Sequence, residues 1–110
     1  MEIIALGTHA RELLERATAA SSGRAADTVH GGPGRALRQT LLTLKAGAAL
    51  AEHENPGEAT LVVLLGHVRL TSGGASWEGR QGDLIPIPEA RHGLEALEDS
   101  AVLLTVVKLP

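Results

Sequence analysis

Apolar and polar residues change their spacing along the chain at about residue 35. Before that point Ala10, Leu13, Leu14 and Ala17 recur at helical intervals while Arg11, Glu12, Glu15 and Arg16 take the other face, which predicts one short helix beginning after Thr8. Thr18 to Ala26 is small and polar, a connector into a first strand at Asp27 to His30, and Gly31-Gly32-Pro33-Gly34 forces a turn. From Arg35 onward short β-like runs alternate with Gly, Pro and Asn. Arg35 to Lys45 is rich in Leu and Thr, Thr60 to Leu65 is apolar on both faces, and His67 to Thr71 sets Val68 and Leu70 against His67 and Arg69. Ser72-Gly73-Gly74 makes a hairpin turn, Leu84 to Ile87 is a brief strand compromised by Pro86, and Ala101 to Val107 is a last apolar strand.

Six or seven such runs predict an all-β antiparallel barrel or sandwich over residues 27–110, preceded by an N-terminal extension with a short helix over residues 1–26. A single short helix buries its stripe only against something else, so the extension is expected to pack on its own barrel or on a second copy, and a homodimer is the expected assembly. No internal repeat or low-complexity tract interrupts this plan.

Composition narrows the chemistry. A chain of 110 residues has room for one core and one pocket. Phe and Tyr are absent and Trp77 is the sole aromatic, so Leu, Val, Ile and Ala must fill the interior and no platform for stacking bases exists. A formal charge of -3 without a basic cluster offers no footprint for nucleic acid or anionic lipid. No apolar run is long enough to span a bilayer, and Met1-Glu2-Ile3-Ile4 lacks the character of a signal peptide, so the expected location is cytoplasmic. With no cysteine, disulfides, thiol nucleophiles and thiolate metal ligands are excluded together. No Ser sits in a Gly-x-Ser-x-Gly elbow, and the glycine-rich turn at Gly31 lacks the Lys-Ser/Thr of a phosphate-binding loop.

The stretch from Gly47 to Gly66 contains Gly47, five residues, His53-Glu54-Asn55 and then Gly66. It resembles the first motif of the cupin family, with Asn55 where the family has a second His and Ala59 where it has a carboxylate. Gly82, Pro88 and His92 resemble the second motif, with one residue fewer between Pro88 and His92, Ala90 for a Gly and Ala96 for an Asn. Each motif alone is weak. Two in order, separated by a hairpin and flanked by apolar strands, cover about three-quarters of the chain.

The resemblance implies a cupin jelly roll with His53, Asn55 and His92 at the mouth of the barrel. In such proteins the motif side chains hold a divalent metal such as Fe, Mn, Ni or Zn. Here the implied set is two imidazoles and a neutral amide, which should hold metal weakly. Glu58 lies one residue before the family carboxylate position, and in a regular strand that offset turns it to the opposite face unless Pro56-Gly57 lets it bend inward. Arg91, beside His92, is a candidate for gripping an anionic group on a ligand, though a loop arginine is more often a surface charge. Read without the resemblance, Glu52-His53-Glu54 looks like a solvated turn, His67 and Arg69 like the wet exterior of a strand, Trp77 like a packing residue, and Glu95, Glu98 and Asp99 like a solvated face.

The leading expectation is a small stand-alone cupin that binds a small organic ligand in its barrel, with a weakly held divalent metal. The alternative is a metal-dependent oxygenase, isomerase or cyclase acting on a small metabolite, in which Asn55 or Glu58 joins the histidines. A transcriptional sensor is disfavoured, because no helix-turn-helix pattern accompanies the strands.

Overall fold

The computed structural model describes residues 2–54 and 57–108. One helix, α1 (Leu6–Ala19), precedes nine strands: β1 (Arg24–His30), β2 (Leu37–Leu44), β3 (Ala49–His53), β4 (Glu58–Leu65), β5 (His67–Ser72), β6 (Ala75–Arg80), β7 (Leu84–Pro86), β8 (His92–Ala96) and β9 (Ser100–Val107). The strands form two antiparallel sheets, ordered β1-β2-β9-β4-β7 and β3-β8-β5-β6, that face each other as a jelly-roll barrel. Among the described residues no helix is long and apolar enough to cross a membrane.

Strand β9 is the axis of the five-stranded sheet, paired over its length with β2 on one side and β4 on the other. Its alternation sorts the chain into two cores. Val102 and Val106, with Leu104 beside them, face inward and join Leu42, Leu44, Ala59, Leu61 and Val63 from the same sheet and Val68, Leu70, Leu94 and Ala96 from the other. Ala101 faces outward and joins Leu41 under the helix, where Ala10 and Leu13 are buried. The Leu64-Leu65 pair reaches that outer cluster through a register shift between Val63 and Leu65.

Helix α1 begins at Leu6, two residues before Thr8, and Ala5 at its N-cap makes no side-chain hydrogen bond. Docking compensates for this weak start. Ala10 and Ala17 are fully buried, so the helix backbone lies close to the sheet, and burying Leu13 contributes about 1.5–3 kcal/mol. The buried Thr43 hydroxyl lies 3.1 Å from the carbonyls of both Leu13 and Ala25, with one proton to share between helix and strand. His9 Nε2 meets Asp27 Oδ2 at 2.6 Å, a second clasp between α1 and β1. At the seam between the sheets Arg24 Nη1 donates to the Ala49 carbonyl at 2.9 Å.

The sharp joint between β4 and β5 depends on Gly66, whose φ is 85°. A Cβ there would overlap the Asp99 carbonyl and the Ser100 hydroxyl, which itself binds the His67 backbone. Gly74, in the β5–β6 turn, has the same φ of 85° but open space around it.

Two outcomes follow for stability, both read by urea denaturation. Gly74→Ala should cost about 1–2 kcal/mol from backbone conformation alone, and Gly66→Ala at least about 2 kcal/mol more, because overlap adds to it; equal losses would refute the close approach. Leu13→Ala should cost about 2–5 kcal/mol, whereas a change under about 0.5 kcal/mol would mean that the helix is not part of the cooperative unit.

Candidate ligand pocket

Strands β3 and β8 bring the two motif histidines together. The pairing runs from Ala49 opposite Glu95 and Leu50 opposite Leu94, then slips, so that His53 stands opposite His92. Both rings therefore lie on the inner face, with centroids 4.6 Å apart and planes tilted by 57°. His92 is buried at 6% exposure, and His53 sits at the exposed rim.

Each imidazole is held in the same way. Nδ1 of His53 lies 3.1 Å from the carbonyl of Ala51, and Nδ1 of His92 lies 3.1 Å from that of Ala90, each two residues upstream. A carbonyl oxygen only accepts, so the neutral ring carries its proton on Nδ1 and leaves the Nε2 lone pair free. Among the described residues neither Nε2 has a hydrogen-bond partner.

The histidines border a cavity of about 40 Å³ between the sheets. Leu42, Leu61, Val102 and Leu104 wall it from one sheet, Leu50, Leu70 and Leu94 from the other, and Ile87 lies across them. Among the described residues nothing else lines it, and the two imidazoles are its only polar side chains. About 40 Å³ admits roughly three waters or a comparably small group, well below the ~300–1,000 Å³ of a drug-sized site.

The other sequence candidates fall elsewhere. Asn55 lies outside the described residues. Glu58 opens β4 opposite Val107 and borders an outer groove with Thr60 and Thr105; the inner face of that strand carries Ala59, Leu61 and Val63. Arg91 is exposed and does not line the cavity: Nη2 donates to the Glu52 carbonyl at 3.1 Å, and Nη1 approaches Glu54 Oε1 at 3.7 Å. It thus spans both sides of His53, while the Ser72 hydroxyl donates to its own carbonyl at 2.7 Å. Among the described residues no three of His, Cys, Asp and Glu gather as a metal set.

His67 and Arg69 belong to the outer face of the four-stranded sheet. Arg69 Nη1 donates to Glu95 at 3.0 Å, and His67 Nε2 lies 2.7 Å from Glu78 without an aligned hydrogen bond. His67 is nonetheless buried at 9% exposure, so this exterior position is dry. Trp77, opposite Leu70 on the edge strand β6, is 46% exposed and borders a surface groove with Ile85, Pro86, Ile87 and Pro88. Leu50 and Leu94 are pocket walls that the sequence pattern did not single out: the two-residue spacing of Leu94 from His92 was the available signal, whereas Leu50, three residues from His53, reaches the inner face only through the register shift.

No protein-family model and no curated protein sequence matches the chain. Solved structures do. A conserved protein of unknown function from Streptococcus pyogenes superposes with a TM-score of 0.76 at 23% identity, over 99% of this chain and 89% of that one. A cupin superfamily protein from Desulfitobacterium hafniense gives 0.71 at 14% identity over 78% of each chain. An RmlC-like cupin from Desulfovibrio desulfuricans gives 0.68 at 28% identity, over 76% of this chain and 81% of that one. The facing sheets, the inward histidines on adjacent strands and these superpositions agree, and by fold the chain is a small cupin barrel.

Proposed function

We propose that this cupin is a binding module that takes a small organic ligand, or the small end of one, into the cavity between its sheets. The observation that carries the reading is the lining: among the described residues, aliphatic walls interrupted only by His53 and His92. A pocket that is mostly apolar with a few convergent polar groups is the usual form of a ligand site. Here the walls supply affinity by excluding water and the imidazoles supply orientation. The exposed rim position of His53 gives the ligand a way in, and Arg91 holds the backbone on which that histidine stands.

A second reading, a metal-dependent enzyme, is favoured by the ring separation of 4.6 Å, short enough for both Nε2 atoms to reach one ion. The donor set is the test of it. Two neutral imidazoles fill two positions, no carboxylate joins them among the described residues, and aliphatic walls do not offset a dication's charge. Catalytic ions are held by about three protein groups, so these donors do not complete such a site and no reaction step is derived through one. Weakly held metal remains compatible with the binding reading.

Two measurements separate the readings. Xenon under pressure should shift the methyl resonances of Leu61, Leu70 and Val102 while leaving those of the outer Leu41 cluster unchanged; unresponsive cavity methyls would remove the binding reading. Protein purified without chelator or affinity tag should carry well below one equivalent of Fe, Mn, Ni or Zn by elemental analysis. Near-stoichiometric metal that disappears in the His53→Ala, His92→Ala double variant would promote the enzyme.

A further inference from the structure

The two histidines determine more than the presence of a ligand: their tautomers determine its chemistry. We infer that the ligand, if the cavity is a binding site as proposed above, presents uncharged hydrogen-bond donors, hydroxyl or N–H groups, to a pair of acceptors, and that carboxylates and phosphates are rejected. Both Nδ1 atoms face carbonyl oxygens at 3.1 Å, which accept and never donate, so in the neutral form of each ring the one proton is committed to the backbone. What remains for the pocket is two Nε2 lone pairs on rings 4.6 Å apart.

Among the described residues no donor balances them: the remaining cavity walls are Leu, Ile and Val, without hydroxyl, amide or cation. Arg91, the nearby cation in sequence, faces Glu52 and Glu54 and stays outside the lining. A carboxylate entering here would set its lone pairs against those of the imidazoles in aliphatic surroundings and lose its hydration without replacement. An alcohol or diol would keep its hydrogen bonds and bury its carbons. The cavity volume of about 40 Å³ matches the reach of one or two such groups with a few carbons, so a larger ligand would place only its hydroxyl-bearing end inside.

The test compares isopropanol with acetate, two probes of equal heavy-atom count. Metal-free protein, treated with chelator, is titrated at about pH 8.5, above the usual histidine range, while imidazole nitrogen and Leu methyl resonances are recorded. Isopropanol should move the Nε2 signals of His53 and His92 together with the Leu70 and Leu94 methyls, and bind at least about tenfold more tightly than acetate, the worth of one hydrogen bond. His53→Phe, at the exposed rim, should reduce that preference to about threefold or less, and His92→Phe should do the same if it folds. Acetate binding as tightly as isopropanol, with cavity methyls responding, would overturn the donor rule while leaving the pocket reading standing. If neither probe moves a cavity signal, the donor rule fails, and the xenon response then decides whether the pocket reading falls with it.

Discussion

Strand β9 carries apolar residues on both faces, buried inside the barrel and, at Ala101, under the helix, and the arrangement of the molecule follows from that constraint. Its inward residues Val102 and Val106 close the barrel against the opposite sheet, while Ala101 on the other face receives the helix. Each face needs a cover, since exposed aliphatic strand surface would be unstable in water. The facing sheet supplies one cover and α1 the other, with small Ala10 and Ala17 at the contact so that a helix of only 14 residues can seat. A polar substitution at Val102 would therefore disturb the barrel interior, and one at Ala101 the seat of the helix.

The pocket is a consequence of how the inner face is filled. With no Phe or Tyr in the chain and Trp77 at the edge, the interior rests on branched aliphatic side chains, and a narrow void persists where β3 and β8 meet the other sheet. The slip in pairing between Leu50 and His53 sets His53 opposite His92 instead of one residue away, where it would face outward. Packing thus makes the space and a bulge makes it polar. Arg91 meets the Glu54 carboxylate and the Glu52 backbone carbonyl outside the cavity, and among the described residues the two imidazoles are the polar groups of an apolar chamber.

Much of the barrel was legible because its buried strands carry patterns that few alternatives satisfy. Thr60 to Leu65 and Ala101 to Val107 read as strands and lie in β4 and β9. Strands β3 and β6 were hard to see: Ala49-Leu50-Ala51-Glu52-His53 is largely exposed, and Ala75 to Arg80 buries only Gly79, so tertiary pairing and not side-chain pattern holds them extended. β1 begins at Arg24, three residues before Asp27, for the same reason, since it is exposed at all but Ala25 and Val29. At the site, the resemblance picked out His53 and His92, which the fold brings face to face, while Glu58, whose side the sequence left open, lies outward on β4. What no spacing rule disclosed was the bulge, which puts Leu50, three residues from His53, on the same face as it.

The measurement that bears most directly on the pocket's chemistry is the tautomer of its two histidines, read from long-range nitrogen–carbon-bound-proton correlations of the neutral imidazoles in metal-free, ligand-free protein. The geometry requires the proton on Nδ1 and an unprotonated Nε2 in both His53 and His92, because each Nδ1 faces a backbone carbonyl. Protonated Nε2 on either ring would contradict the account, since the pocket would then offer a donor where it is described as a pair of acceptors.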